Sequence, residues 1–359
     1  MDVTGHNELA ETSPAASASI RDVARVAGVS YQTVSRVING HQSVSTSARE
    51  RVEAAISSLG YRPSRAARAL ASGVEDVVTV LTSNTNLFGY AETLAGIEEA
   101  ARAAGVRVAI RVLESDNAQS VRAAVDEVSD PRSGMVIVLA YDRAGARALA
   151  ELPPAVRSSA TVESHVGRRA APADRDRWAW FDDMAAAERA TRHLLELGHK
   201  TVHHMAIPTS STVGDRQRGW QRALRAAGAS VPQVVRPKGW TIQAAHAAAL
   251  DLLRDKDVTA VLCGNDDQAL GVLRAAHDLK ISIPGELSVV GFDDTPGAPY
   301  YTPALTTVRF DFAALGRRVF EVLGVRRDPL SSPHPIPEPT LIIRESTGAA
   351  TKRPAARRS

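Results

Sequence analysis

The sequence predicts two fold classes in one chain: an α-helical helix-turn-helix headpiece, followed by an α/β module built on two doubly wound parallel sheets. Between Ser30 and Asn39 a short apolar stripe recurs with helical spacing beside a polar face. From residue 76 onward, β-rich apolar runs alternate with Ala-rich amphipathic stretches. The chain of 359 residues is long for one domain, and what remains beyond the headpiece is enough for two lobes with substantial cores.

In the headpiece, Val34, Val37 and Ile38 fall at i, i+3 and i+4, the buried stripe of a helix predicted from Tyr31 to Asn39 with Ser30 as its cap. Gln32, Ser35 and Arg36 lie on another face. Upstream, Ser19-Ile20-Arg21-Asp22 has capping-box form, and Ile20, Val23, Ala24 and Ala27 make a second stripe ending at Gly28. Two short helices with a Gly in the turn predict a helix-turn-helix. A third helix is expected from near Ser45, with Val52, Ile56 and Leu59 inward and Gly60 at its end. A helix that reads the major groove needs amide, guanidinium, hydroxyl or phenol groups toward the bases, and Tyr31, Gln32 and Arg36 supply them. From Ser19 to Gly73 there are eight Arg and three acidic residues, a net +5 on a chain whose total is +3. Such a local excess is what phosphate neutralisation requires. A plain solvated helical bundle fits the charge alone, but not the charge and the pattern together. The stretch Arg62 to Gly73 opens on a Pro and a cap and stops at a Gly, which predicts one short helix, marginal on its own below about 12 residues.

Beyond it, Val77–Leu81, Val106–Leu113, Met135–Leu139, Val202–Ile207, Ala260–Cys263 and Ser288–Gly291 read as buried strands. Ala91–Ala104, Ala185–Leu197, Val213–Ala227 and Ala269–Leu279 read as helices, several closed by a Gly. This β-α order predicts parallel sheets, whose ligands bind beyond the carboxyl ends of the strands. The loops after Leu81, Ile207, Gly264 and Gly291 are thereby marked as a ligand-binding edge. They carry Asn84, Asn86, Phe88, Asn265, Asp266, Asp267, Asp293 and Asp294, amides and carboxylates that bond hydroxyls and an aromatic face that covers a sugar ring. Each alone fits a turn former or helix cap equally well.

From Ile20 to Gly73 the chain resembles the DNA-binding headpiece of the lac-repressor (LacI/GalR) family, most specifically at Ser30-Tyr31-Gln32-Thr33-Val34-Ser35-Arg36-Val37. Leu195-Glu196-Leu197-Gly198-His199, Asp215 to Trp220, Asn265-Asp266, Ser288 to Asp294 and Leu341 to Thr347 look like further signatures, extending the resemblance to about 330 residues. It implies a two-lobed, periplasmic-binding-protein-like effector domain behind the headpiece. It also implies base contacts by Tyr31, Gln32 and Arg36, with Arg36 as the guanine reader, and phosphate contacts by Ser19, Ser35, Asn39 and Ser45. The short helix after the headpiece becomes a hinge helix in the minor groove, with Leu70 wedged between base pairs and Ala67 at a close approach. In the effector domain, Arg216, Asn265 and Asp293 would bond a ligand's hydroxyls, Trp240 would stack on a sugar, and Leu87 and Phe312 would form apolar walls. Phe88 and Thr212 join them. Without the resemblance, Trp240 fits a core or interface residue, Arg216 a surface ion pair and the hinge a linker. Residues 155–180, with Glu163, His165, Arg168, Arg169, Arg175 and Arg177, depart from the family pattern where it often places another polar ligand contact.

The expected domains are an arm (1–18), the helix-turn-helix (19–61), the hinge (62–73), the effector and dimerisation module (74–348) and a basic tail (349–359). The tail lacks the leucine heptads of a tetramer, so a homodimer is expected. The expected partners are double-stranded operator DNA and a small effector, a galactoside-like saccharide first, with a purine or nucleoside as the alternative. No nucleotide-binding loop, nucleophile elbow or H-E-x-x-H motif occurs, so neither enzyme activity nor a cofactor or metal is expected. The adjacent Asp pairs and His203-His204 would point to opposite sides of a strand and so would not chelate together. One cysteine, Cys263, excludes an internal disulfide framework. The first 18 residues have neither a basic start nor an apolar run, and no apolar run approaches the roughly 20 residues of a membrane span. Together these predict a cytoplasmic, nucleoid-associated regulator. A ligand-binding protein without a regulatory role shares the lobes but not the headpiece.

Overall fold

The computed structural model describes residues 18–38, 43–61, 77–130, 134–211, 213–325 and 334–351. They divide into two compact units, one within Met1–Glu75 and one within Asp76–Ser359.

The first unit is three helices: α1 (Ile20–Ala27), α2 (Tyr31–Ile38) and α3 (Thr46–Leu59). Ser19 and Asp22 form the expected capping box, with Asp22 N–H donating to Ser19 Oγ at 3.3 Å and Ser19 N–H donating to Asp22 Oδ2 at 3.0 Å. The Ser19 hydroxyl, donating to Asp22 Oδ2 at 2.7 Å, with the Ser19 N–H and Arg25, holds the Asp22 carboxyl down to about 2. Gly28 (φ 62) and Gly60 (φ 57) end α1 and α3 in the left-handed region, where any side chain would be strained. Val23, Ala27, Val34, Val37, Val52, Ala55 and Tyr61 close the core. In α3 the fully buried positions are Ala48, Val52 and Ala55, while the expected Ile56 and Leu59 are half-buried at its edge. Ser45 stands at the N-cap of α3, yet its side chain makes no capping bond.

The second unit holds two five-stranded sheets. In the first lobe the strands β1 (Val77–Thr82), β2 (Arg107–Val112), β3 (Met135–Leu139), β4 (Ser158–Thr161) and β5 (Trp178–Ala179) lie parallel in the order β2-β1-β3-β4-β5. They are connected by α4 (Phe88–Ala103), α5 (Ala118–Val128), α6 (Arg143–Glu151) and the short α7 (Ser164–Arg169) and α8 (Pro172–Arg175). The second lobe has β6 (His203–Met205), β7 (Ala260–Cys263), β8 (Ser288–Asp293), β9 (Thr306–Arg309) and β10 (Thr340–Ile342), in the order β10-β9-β8-β7-β6. Here β6 to β9 are parallel, while β10 runs antiparallel to β9, so the doubly wound sheet carries one reversed edge. Its helices are α9 (Asp183–Glu196), α10 (Asp215–Ala226), α11 (Ile242–Leu252) and α12 (Asp266–Asp278).

After β9 the chain returns to the first lobe, where α13 (Phe312–Glu321) packs on α4. Two glycines permit this close crossing, since a Cβ on Gly96 would lie 2.1 Å from the Ala313 carbonyl oxygen and one on Gly316 would lie 2.2 Å from that of Thr93. One core lies within each lobe, around Val136 and Val138 in the first and Val261 and Val289 in the second. Another draws Tyr90, Phe181, Phe292, Phe310 and Phe312 together from both. Among the described residues, no helix is long and apolar enough to cross a membrane.

Candidate functional site

On the headpiece, α2 turns Val34 and Val37 into the core and leaves Tyr31, Gln32 and Arg36 exposed on the other side. Ser30 caps the helix, its Oγ accepting from Thr33 N–H at 3.2 Å and lying 2.9 Å from Thr33 Oγ1. Tyr31, a large ring, is 51% exposed. Its ring therefore contributes little to the headpiece core. Ser45 is exposed as well, its hydroxyl not used by the helix it precedes. Asn39, Ala67 and Leu70 lie outside the described residues.

The second site is a cleft between the two lobes, lined from the carboxyl ends of the strands and enclosing about 910 Å³ of empty space, part of it open to solvent. From the segment after β1 come Leu87 and Phe88; from the segment after β7 comes Asn265 and from the end of β8 Asp293; Arg216, Trp240 and Phe312 complete the expected set. Seven residues spread over 226 positions of sequence thus meet at one cavity. Thr212 lies outside the described residues.

Arg216 organises the polar floor. Its Nε donates to Asp183 Oδ1 at 2.8 Å, its Nη1 donates to the Gly264 carbonyl, and its Nη2 lies 3.7 Å from Asp293 Oδ1. The guanidinium also lies over the rings of Phe292 and Phe310, 4.5 and 5.2 Å from their centroids, so cation–π attraction adds to the ion pairs. Burial works against its charge, but Asp183 and Asp293 outweigh burial and raise its pKa. Burial pushes the Asp293 carboxyl up to about 6 against the pull of Arg216, and it raises Asp183 as well. Arg216 is therefore neither a surface ion pair nor free: its charge is desolvated and shared between two carboxylates.

Asp293 reaches the cleft from an unusual backbone, with φ 103 at Asp293 and φ 51 at Asp294. Such conformations cost on the order of 1–3 kcal/mol and persist only where the surroundings hold them. Here Asp294 is held by Arg344 at 2.6 Å and Arg309 at 2.7 Å. The signature Leu341 to Thr347 is thus a fastener: Arg344 anchors Asp294, and Ser346 ties β8 to β9 by accepting from Thr306 N–H and donating to the Val289 carbonyl. His199 acts similarly between Thr259 and Ser288.

The other Asp pairs also divide their duties, for a different reason than strand alternation. Asp182-Asp183 and Asp266-Asp267 stand at helix N-termini. Asp182 caps α9 while Asp183 takes Arg216. Asp266 accepts from Thr295 N–H and the Thr307 hydroxyl, and Asp267 lines the cleft. Asn265 caps α12 through its side-chain oxygen, accepting from Gln268 N–H at 2.9 Å. The opposite wall is aromatic: Phe88 and Phe312 meet edge to face at 6.1 Å, and Phe181 stands against Phe312 at 5.5 Å. Trp240, half-buried just after Gly239 (φ 110), belongs to none of the aromatic contacts of the core.

The sequence left several lining residues unassigned. Tyr141, Glu163 and Phe181 follow β3, β4 and β5, and Asp215 opens α10. Glu163 is the polar contribution from the segment where the family pattern was lost. The signal that could have found it is the strand before it, Ser158–Thr161, whose Ser-Ser-Ala-Thr composition hides a buried strand.

A three-helix unit with an exposed polar recognition face, joined in one chain to a two-lobed module with a polar and aromatic cleft, defines the class of ligand-responsive DNA-binding regulators. Comparison with known proteins agrees. Residues 19–64 match the family described as bacterial regulatory proteins, lacI family, and residues 191–347 match the periplasmic binding protein-like domain. The lactose operon repressor of Escherichia coli is 32% identical over 305 residues, covering 83% of this chain and 82% of that protein. The HTH-type transcriptional regulator GalS of Salmonella typhimurium is 33% identical over 312 residues, covering 85% and 88%. Among solved structures, the lac repressor dimer bound to operator and the anti-inducer ONPF has a TM-score of 0.78 at 29% identity, covering 92% of this chain and 99% of that one. The chain belongs to the lacI family of bacterial regulatory proteins.

Proposed function

We propose that this protein is a cytoplasmic repressor of carbohydrate-utilisation genes that binds a palindromic operator as a homodimer and is released from it by a small saccharide. The observation that carries the effector half is the convergence of Arg216, Asn265 and Asp293 with Phe88, Phe312 and Trp240 around one cleft. Paired hydrogen-bonding groups read hydroxyls while aromatic faces cover the apolar side of a sugar ring. Relatives named for the lactose and ribose operons, and the structure of the regulator CelR with cellobiose (TM-score 0.65, 28% identity, covering 92% of this chain and 99% of that one), support a saccharide. Galactosides head the candidates, on Trp240 and α2 together.

In the DNA half, Tyr31, Gln32 and Arg36 read base edges; Ser19, Ser35, Asn39 and Ser45 contact phosphates; Leu70 and Ala67 act in the hinge. A saccharide that binds one lobe arrangement better than the other shifts the DNA-bound population by its differential affinity, and about 1–3 kcal/mol of coupling is enough. The test is a footprint on DNA flanking the protein's own gene, followed by titration of that complex with galactosides, glucosides, pentoses and purines. Release by a saccharide is expected. Release by purines alone, or by none of the panel, overturns the reading.

A further inference from the structure

At one edge of the cleft, three side chains from two lobes bring lone pairs to a single point. Glu163 and His165 ride on the connection from β4 into α7 of the first lobe, and Asp215 opens α10 of the second. His165 Nδ1 lies 3.1 Å from Glu163 Oε2 and 2.9 Å from Asp215 Oδ1, and the three ligand atoms all lie within 4.8 Å of one another. Both Glu163 Oε2 and His165 Nδ1 are shielded from solvent, and neither has a hydrogen-bond partner of acceptable geometry. An imidazole nitrogen this close to two carboxylate oxygens needs a positive centre between them, either its own proton or a metal cation.

The surrounding bonds hold these groups in place without satisfying them. Glu163 Oε1 accepts from Ser210 N–H at 3.0 Å, and Asp215 Oδ2 accepts from His165 N–H at 2.8 Å and from the Ser164 hydroxyl. Arg218 donates to Asp215 Oδ1 at 3.1 Å, which leaves that oxygen a second lone pair. The remaining atoms are Glu163 Oε2, His165 Nδ1 and one lone pair of Asp215. Zinc ligands at about 2.0–2.2 Å in tetrahedral array stand roughly 3.3–3.6 Å apart, so the 3.1 and 2.9 Å separations from His165 need open only by a few tenths of an ångström to admit the ion.

We propose that Glu163, His165 and Asp215 form a divalent transition-metal site, with the imidazole and carboxylate set suited to Zn²⁺, that fastens the two lobes at the edge of the cleft. An imidazole with two carboxylates favours zinc over magnesium or calcium, which take all-oxygen sets. The ion bridges β4–α7 to α10, so its binding favours the lobe arrangement in which these segments meet. It does so whatever the effector is.

The test uses the full-length protein stripped with a chelator and titrated with ZnCl₂ by calorimetry, beside His165→Ala and Glu163→Gln. One site is expected in the wild type, weakened about tenfold or more in each variant, together with a rise in Tm on adding Zn²⁺ that both variants lose. Circular dichroism confirms that each variant is folded, and Glu163→Gln keeps the side-chain shape should His165→Ala fail. No binding by the wild type means that a proton alone bridges the three groups and overturns the proposal. Equal affinity in wild type and variants means an adventitious ion only, held elsewhere, and overturns it too. Neither result bears on whether a saccharide releases the operator, which the titration of the DNA complex decides separately.

Discussion

The recognition helix and the cleft solve opposite problems with the same chemical groups. On α2 the guanidinium of Arg36 is exposed, and in the cleft that of Arg216 is buried between two carboxylates and two aromatic rings. An exposed Arg keeps its hydration until a rigid, charged partner displaces it, so its value is realised only on binding. A buried Arg has already lost its water, and its neighbours must hold it in both the empty and the filled state. Substitution at the first should therefore cost recognition alone, whereas substitution at the second should cost the fold as well.

The largest expected effect follows directly. Arg216→Ala leaves Asp183 and Asp293 desolvated with no cation, a situation that costs about 3–5 kcal/mol where measured in other proteins. Urea unfolding of the Asp76–Ser359 unit should show a loss of that size. A loss below about 1 kcal/mol would mean that the two carboxyls are simply protonated there, and that the guanidinium contributes little to the fold.

The second prediction concerns pH. Burial, with Asp293 nearby, pushes the Asp266 carboxyl up to about 8 from an ordinary value of 3.8, against the pull of its bonds from Thr307 and Thr295. A carboxyl whose folded pKa is raised keeps its proton in the fold. Its contribution to stability is complete below 3.8, declines as pH rises and is gone near 8. The buried His204 works in reverse: burial lowers it to about 4, so its contribution is complete above 6.5 and falls away as pH drops toward 4. The two slopes oppose each other between about 4 and 6.5, and above that window Asp266 acts without this opposition. Denaturation midpoints should thus fall from pH 6.5 to 8, and Asp266→Asn should flatten that decline. An unchanged slope in the variant would place the titrating group elsewhere. The exposed Asp22 of the headpiece is held down instead, so its contribution is present above 3.8 and lost only as pH falls toward 2.

The headpiece was readable in the sequence because its determinants are local. Ser19, Asp22 and Gly28 lie within ten residues, and each acts through the backbone beside it. Read from the residues alone, the cleft was legible only where a motif stood at the end of a strongly apolar strand, as at Asn265 after Ala260–Cys263 or Asp293 in Ser288–Asp293, whereas Arg216, Trp240 and Phe312 were reached through the family resemblance. It was unreadable after β4, a strand of Ser, Ala and Thr whose burial depends on partners far along the chain, such as the bond from Ser159 Oγ to the Val319 carbonyl at 2.7 Å. The cluster at Glu163, His165 and Asp215 was invisible for the same reason: two of its members are neighbours, but the third is fifty residues on, and only the meeting of the lobes joins them. Reversal of β10 was likewise hidden, since three residues of a short edge strand carry no direction of pairing.

A smaller effect should separate recognition from folding. Arg36→Ala removes a forked donor suited to guanine O6 and N7, with an expected loss of about 1–3 kcal/mol on the operator. Because the side chain is exposed, headpiece stability should stay within about 0.5 kcal/mol of wild type. Competitive binding to operator and random DNA checks the first, and thermal unfolding the second. Equal losses on both DNAs would make Arg36 a phosphate contact.

The smallest effect tests whether the exposed site depends on anything beneath it. Ser19 is expected at a phosphate, yet its hydroxyl already donates to Asp22 Oδ2 at 2.7 Å and accepts from Asp22 N–H. Ser19→Ala removes both bonds, and losing such a cap costs about 1 kcal/mol. If that is its only task, operator affinity should fall no further than partial unfolding of the headpiece accounts for, and Ser19→Asp should restore the fold. Asp supplies a cap but repels phosphate. A variant that regains stability while losing DNA affinity therefore assigns Ser19 to both roles. Recovery of both would confine it to the cap and leave phosphate contact to Ser35, Asn39 and Ser45.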